Sequence, residues 1–388
     1  MKKVLLVPSW YPSAGNPISG IFIQEQALAL ANDYDVAVLI PEMARWRNVL
    51  RADTEDGRSR SCKSYQEGLP IYREFARPRI PHGPESSAYH TFVRAARSGF
   101  QKILKDWGKP DIIHAHVVLP GGWSALNLGK HYSIPVVLTE HSNPFSMHLG
   151  TALQRRLVRQ TLTDVDRVLP VSPELANQIV SFHPEAKPIV LGNLIRTDFF
   201  TPSQNGRREH SVFKFLFVGR LSAEKAVDTL IKAAHVLAKR GVVSFKLIVG
   251  GDGPDRANLE RLTSGLGIGE KCQFLGSLNR EEVRRAINEC DVLVLPSLNE
   301  TFGIVVGEAM ACGKPVISTR CGGPEFVITD ETGVLVEVAN PDALADAMSD
   351  FISGRVSFDP AALRASIVNR FGPTAFLQNI TRVYEELW

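Results

Sequence analysis

Residues 291–320 read DVLVLPSLNETFGIVVGEAMACGKPVISTR, and the fold follows from how this stretch is punctuated. Val292 to Leu295 is an apolar run closed by Pro296 and Ser297, the pattern of a parallel strand buried on both faces and ending at a loop. A helical pattern runs from Ile304 to Cys312, Gly313 and Pro315 stop it, and Val316 to Thr319 reads as the next strand. Strand, loop, helix, strand is one turn of an open parallel sheet, whose ligands bind at the carboxyl edge. The loop Glu300-Thr301-Phe302-Gly303 lies at that edge. The amides of Thr301, Phe302 and Gly303, together with the start of the helix at Ile304, are therefore expected to form an anion site at the positive end of the helix dipole.

Glu300 and Glu308 frame the site. Eight residues span roughly 12 Å along a helix, which leaves room for a diphosphate carrying a sugar at each end. The spacing alone also fits two surface glutamates on an ordinary helix. A glutamate, seven residues and a second glutamate, with Phe-Gly after the first, resembles the motif of the retaining glycosyltransferases of family 4, which have the GT-B fold. The resemblance implies an α/β protein of two Rossmann-like doubly wound domains facing a central cleft. Residues 1–200 would form an acceptor-binding domain and 208–370 a nucleotide-sugar-binding domain, while 371–388 would be a helix crossing back to the first.

Bulk properties agree with such a protein. A length of 388 residues suggests two to three domains at about 100–200 residues each, and we favour two. With 44% hydrophobic and 22% charged residues both domains can bury full cores, and a net charge of +3 gives no argument for nucleic-acid binding. Residues 41–110 hold fourteen Lys and Arg against eight Asp and Glu, with Arg73, Arg77, Arg79, Arg94 and Arg97 close together, a solvated face or a functional patch. The five cysteines include no CxxC pair and read as reduced thiols of a cytoplasmic protein. Val4 to Val7 is too short for a signal peptide, and no apolar run approaches the ~18 residues needed to span a bilayer.

Along the chain, Val4 to Val7 reads as the first strand, Ser9 to Gly20 as a loop, and Ile21 to Ala31 as a helix with Gly20 at its entrance, where a backbone can approach a phosphate or sugar closely. Val36 to Ile40 is a second strand, and Pro41 to Gly68 has no sustained period and is expected to be an excursion or mobile loop. Apolar residues recur at three and four from Tyr89 to Trp107, marking a helix. Strands at Ile112–Val117, Val136–Thr139, Val168–Val171 and Ile189–Leu191 alternate with helices near 123–132, 149–162 and 173–182. A composition shift at 193–205 reads as a linker. A second cycle then has strands near 215–218, 245–249, 273–275, 292–295, 316–319 and 334–338, and a last helix from Pro373 to Trp388.

Four further features carry chemistry. Gly219-Arg220 ends a strand and Lys225 precedes a helix, a fork and a point charge suited to a diphosphate; the resemblance makes Arg220 and Lys225 a pyrophosphate clamp. It likewise assigns Glu308 to the ribose, Glu300 to hydroxyls of the donor sugar, and His141, at the end of a strand, to the face of that sugar. Gly250-Gly251-Asp252-Gly253-Pro254 recurs in the family but is equally good plain turn chemistry, and Phe274 to Ser277, with Gly276, would lie near the nucleobase. His114 and His116 read as core or cleft-lining groups. Gly322-Gly323-Pro324-Glu325 resembles another family signature, simplest as a turn that starts a helix. Asp164-Val165-Asp166 superficially matches a metal-binding Asp-x-Asp but sits at a helix end, so no metal is assigned.

The resemblance implies a metal-independent retaining glycosyltransferase that moves a hexose from a UDP- or GDP-sugar to a glycan or polyprenyl-linked saccharide in cell-surface polysaccharide biosynthesis. It implies no cofactor besides the donor substrate. The basic first domain suggests peripheral contact with an anionic membrane at the inner face of the cytoplasmic membrane. Two other functions fit the same scaffold: a nucleotide-sugar epimerase or phosphorylase, and a non-catalytic nucleotide-sugar-binding subunit.

Overall fold

A computed structural model describes residues 1–43, 61–78, 84–203 and 212–388. The chain divides into two units, Met1–Gly192 with Leu377–Trp388, and Asn193–Phe376. The expected basic cluster loses Arg79, and the expected linker loses Gln204 and Asn205, to positions outside the described residues.

The first unit holds β1 (Lys3–Pro8), α1 (Ile21–Leu30), β2 (Asp35–Met43), β3 (Cys62–Gln66), β4 (Leu69–Ala76), α2 (Glu85–Asp106), β5 (Ile112–His116), α3 (Trp123–Tyr132), β6 (Val136–Glu140), α4 (Ala152–Asp164), β7 (Arg167–Pro170) and α5 (Pro173–Phe182). Its seven strands run in the order β3-β4-β2-β1-β5-β6-β7, parallel except for β3. Val4 to Val7 and Ile112 to His116 are wholly buried, as a central parallel strand covered by helices on both faces must be. Two of its helices start at side-chain caps: Thr151 and Gln154 form a capping box for α4, and Ser172 caps α5 ahead of Pro173.

Two expectations fail here. The stretch Pro41–Gly68 is not one excursion: β2 continues to Met43, and β3 returns along β4 as a hairpin through Glu67 and Gly68, both at positive φ. Strand β3 lies exposed at the sheet edge, so it carries no hydrophobic alternation to read. Residues 44–60 of that stretch lie outside the described residues. Ile189–Leu191 is not a strand either. Its amides donate to Val168 O and Pro170 O at 2.9 and 3.0 Å, but Pro170 has no N–H to return a bond to Ile189 O, so the parallel ladder is never closed.

The second unit holds β8 (Phe213–Val218), α6 (Val227–Lys239), β9 (Phe245–Gly250), α7 (Arg256–Gly265), β10 (Cys272–Gly276), α8 (Arg280–Glu289), β11 (Val292–Leu295), α9 (Ile304–Ala311), β12 (Val316–Thr319), α10 (Pro324–Val327), β13 (Val334–Val336), α11 (Pro341–Ile352) and α12 (Pro360–Phe371). The sheet is parallel in the order β10-β9-β8-β11-β12-β13. The last helix, α13 (Pro373–Glu385), belongs with the first unit from Leu377 onward. There Thr381 Oγ1 meets Tyr34 OH at 2.7 Å, and beyond the helix Glu386 pairs with Arg167 at 2.9 Å.

Each sheet reverses its winding once, between β1 and β5 in the first unit and between β8 and β11 in the second. At such a switch point the loops leaving two neighbouring strands part to opposite faces and open a crevice at the carboxyl edge. Topology alone therefore directs attention to the residues after β1 and β5, and to those after β8 and β11.

Candidate active site

The second unit concentrates charge at its switch point. Lys225, in a single helical turn between β8 and α6, sets its Nζ 2.6 Å from Glu300 Oε1 in the loop after β11. Ser297 Oγ donates to the same oxygen at 2.8 Å, and the backbone joins the two loops where Leu298 N donates to Glu224 O at 2.8 Å. Arg220 is exposed and no described carboxylate pairs with it. It lies near enough to be felt: the Ser222 hydroxyl holds the Glu224 carboxyl below its usual range, and the positive charges of Lys225 and Arg220 add to the effect. Arg220, Lys225 and Glu300 are thus brought to one place.

The Glu300 loop is held by the turn after β12. Glu300 N donates to Cys321 O at 3.1 Å, and Gly323 N donates back to Glu300 O at 2.7 Å. A Cβ on Gly323 would fall 2.2 Å from Phe302 N, so only glycine lets the two loops touch. Gly322-Gly323-Pro324-Glu325 is consequently more than a helix start. Cys321 sits in the same turn with its thiol pushed up to about 12 by burial, which keeps it protonated and non-nucleophilic at neutral pH.

Gly303, at φ +80°, enters α9 with no side-chain cap, and the first turn holds no acid, so nothing on the helix offsets the positive end of its dipole. Ile304 begins the helix. Phe302 offers only backbone, since its ring is buried against Phe326 and Phe371. The 12 Å helical reckoning between the glutamates fails, because Glu300 lies in the loop, bridged to Gly322, and the helix starts only at Ile304. Glu308 points inward at 3% exposure and takes Arg280 Nη1 at 2.5 Å, while that guanidinium lies 4.7 Å over the Phe200 ring. No motif in the sequence singles out Arg280. The Asn279-Glu282 capping box that opens α8 is the signal that fixes its place, one residue inside the helix.

Beside this, the loops leaving β8, β9 and β10 run together. Gly219 N donates to Gly250 O at 3.0 Å, Leu221 N to Asp252 O at 3.0 Å and Gly251 N to Gly276 O at 2.7 Å. A Cβ on Gly251, at φ +130°, would fall 1.8 Å from Gly219 O. Gly251 lets backbone pack on backbone here, and Gly276 supplies the positive φ of +76° that the end of β10 requires.

The first unit's edge is built differently. Gly20, at φ +72°, caps α1, and a Cβ there would strike Trp10 O at 2.5 Å. Ser9, after β1, accepts Gly121 N at 2.8 Å. Glu140 is fully buried and accepts three backbone amides, from Val118 at 2.7 Å, His141 at 2.9 Å and Ser142 at 2.8 Å, so it shapes the loops after β5 and β6. Val117, a β-branched residue at φ +71°, is a strained joint between them. His141 is 7% exposed, beside Phe22 and His116.

The remaining expectations divide. Asp164 pairs with Lys130 at 2.6 Å and Asp166 accepts Val136 N at 2.8 Å, so both carboxylates are engaged in structure. The basic residues are not one patch: Arg73 is paired to Glu42 and donates to Pro12 O, Arg94 donates to Arg77 O, and Arg97 is exposed. Among the described residues no group of three His, Cys, Asp or Glu could hold a metal ion, and no helix is long and apolar enough to cross a membrane.

Comparison with known proteins gives this geometry a family. The model for Glycosyltransferase Family 4 matches residues 20–199, and that for glycosyl transferases group 1 matches residues 201–369. An uncharacterized glycosyltransferase of Methanocaldococcus jannaschii is 29% identical over 84% of this chain and 88% of its own length. A D-inositol 3-phosphate glycosyltransferase of Corynebacterium diphtheriae is 33% identical, but over only 62% of either chain. Anabaena HepE, solved in complex with UDP, superposes with a TM-score of 0.76 at 18% identity, over 100% of both chains. The chain belongs to the family 4 glycosyltransferases, group 1, and has the GT-B fold.

Proposed function

We propose that this glycosyltransferase moves a hexose, with retention at the anomeric carbon and without a metal ion, from a UDP- or GDP-sugar to a hydroxyl of a glycan or polyprenyl-linked saccharide. The observation that carries the reading is the Lys225–Glu300 pair at the switch point of the second sheet, with Arg220 unclaimed by any described carboxylate beside it. Transfer breaks the bond between the anomeric carbon and the phosphate oxygen, so negative charge grows on the departing diphosphate while the sugar becomes oxocarbenium-like. Arg220, Lys225 and the uncapped start of α9 supply positive charge where that charge develops. The acceptor hydroxyl forms the new bond on the same face and gives its proton to the leaving phosphate, so no side-chain nucleophile enters. The carboxylates of Glu300 and Glu308 can each accept more than one hydroxyl hydrogen bond, Glu300 from the donor sugar and Glu308 from the ribose. His141 takes the family's place beside the donor sugar. HepE, with UDP bound, supports a uridine donor.

Arg220→Ala is expected to lower kcat/KM by about 10²–10³, the usual loss of one transition-state donor; full activity would remove Arg220 from the clamp. The donor is found by thermal shift against UDP- and GDP-sugars, where a ligand at 100 times its Kd adds about 2.7 kcal/mol. Proton NMR of the product's anomeric centre reads retention, and turnover in excess chelator reads metal independence. Action at the inner face of the cytoplasmic membrane requires salt-sensitive binding to anionic vesicles.

A further inference from the structure

Three histidines stand on one face of the first sheet. His114 and His116 alternate on β5, His116 is in register with Thr139 on β6, and His141 follows two residues after Thr139. The rings form a file: His114 stacks on His116 at 4.4 Å between centroids, and His116 meets His141 edge to edge at 5.4 Å with the ring planes 20° apart. His114 and His116 are completely buried. Burial pushes the His114 imidazole down to about 3 and that of His116 well below its ordinary value, so both are neutral in the folded protein.

Neutral rings make directional hydrogen bonds, one nitrogen donating and the other accepting. His114 is pinned at both nitrogens, Nδ1 to Tyr384 OH at 2.6 Å and Nε2 to Thr139 Oγ1 at 2.7 Å. His116 sets Nδ1 3.1 Å from His141 Nε2, while its own Nε2 has no partner among the described residues. A leucine or phenylalanine would fill the same space with no buried ring nitrogen to desolvate. What the imidazole adds at position 116 is one hydrogen bond, and it is aimed at His141. Tyr384, also fully buried, reaches the file from the C-terminal helix.

We propose that His116 is a positioning residue that fixes the ring orientation and tautomer of His141. We further infer that Tyr384 locks the file through His114, which makes the C-terminal helix part of the support of the catalytic group. The inference rests on the reading that His141 touches the donor sugar, and the experiment separates the two. His141→Ala tests that reading by itself. His116→Leu, which removes the nitrogen, and His116→Asn, which keeps a polar atom near Nδ1, are assayed for donor turnover in the native and His141→Ala backgrounds.

His116→Leu should lower kcat about tenfold with little change in donor KM, the order of coupling between residues in contact, and should cost nothing further once His141 is alanine. His116→Asn should restore most of the activity. Tyr384→Phe should act in the same direction by a smaller factor, and it carries the test if His116→Leu fails to fold. Nitrogen NMR of the His141 ring, independent of turnover, should show a change of tautomer or mixed tautomers in His116→Leu. Equal losses in His116→Leu and His116→Asn, losses that persist in the His141→Ala background, or an unchanged His141 tautomer would overturn the proposal and leave His116 as packing. An inactive His141→Ala beside a fully active His116→Leu would sink the inference alone, whereas a fully active His141→Ala would remove the reading beneath it.

Discussion

The two sheets share a winding pattern and one switch point each, yet their carboxyl edges are made of opposite materials. In the second unit the edge is ionic: Lys225 on Glu300, Arg280 on Glu308, and Arg220 held out. In the first it is buried and held by hydrogen bonds: a file of neutral imidazoles beside a carboxylate whose oxygens are occupied by amides. Charge is useful where a diphosphate must be bound and released, because Coulomb attraction can be traded between a ligand and an internal partner. Neutral, hydrogen-bonded rings are useful where a group must keep one orientation, because low dielectric strengthens every directional contact and leaves no ion to relax. The difference between the edges is therefore a division between binding by charge and positioning by geometry.

Lys225→Met strikes the ionic edge hardest. It deletes the internal partner of Glu300 and a cation from the clamp, so kcat/KM should fall by about 10²–10³. Stability should fall by about 1–3 kcal/mol, because the pair is mostly buried, with 20% and 11% of the two side chains exposed, and Glu300 loses its cation. Steady-state kinetics with urea unfolding reads both. A large loss of stability with unaltered turnover would mean that the pair is structural and the comparison false.

Glu308→Gln gives the next largest effect. The 3% exposed carboxylate is removed from a 2.5 Å contact with Arg280, leaving a buried amide in its place. Unfolding free energy should drop by about 1–3 kcal/mol, and donor KM should rise more than kcat falls. An unchanged KM would take the ribose role from Glu308 and leave it a structural anchor for α8 on α9.

How much of this could be read from the sequence follows the same division. The ionic edge was legible because its residues are consecutive or nearly so: Glu300 to Glu308 across one loop and helix, and Gly219-Arg220 with Lys225. Turn chemistry also marked the carboxyl ends of β8, β11 and β12 where they stand. The neutral edge was not, because its meaning lies between strands. His116 and His141 are 25 residues apart, and His114 and Tyr384 are 270 apart. Each histidine alone is indistinguishable from a core residue. The hairpin of β3 and β4 was missed for a related reason, since an exposed edge strand need not alternate. Arg280 is inconspicuous in sequence because its partner is on another helix, and Ile189–Leu191 reads as a strand because the proline that denies it a ladder, Pro170, lies on the neighbouring strand.

Acid offers the mildest test and the one that separates the units directly. His114 has its folded value near 3 against about 6.5 in the unfolded chain, and His116 is shifted the same way. Between those values the unfolded state binds a proton that the folded state refuses, so stability is whole above pH 6.5 and declines as pH falls toward 3. Each such histidine contributes a slope of up to about 1.4 kcal/mol per pH unit. His148, also lowered by burial, adds to the same side, and all three belong to the first unit. Among its described residues the second unit carries a single histidine, His235. Hydrogen exchange of the whole chain, followed by segment from pH 6.5 to 5, should therefore show β5, β6 and the C-terminal helix losing protection before β8 and β11 do. His114→Gln should flatten that decline. Equal loss in both sheets would mean that the imidazole file is not held neutral, and the contrast between the two edges would lose its physical basis.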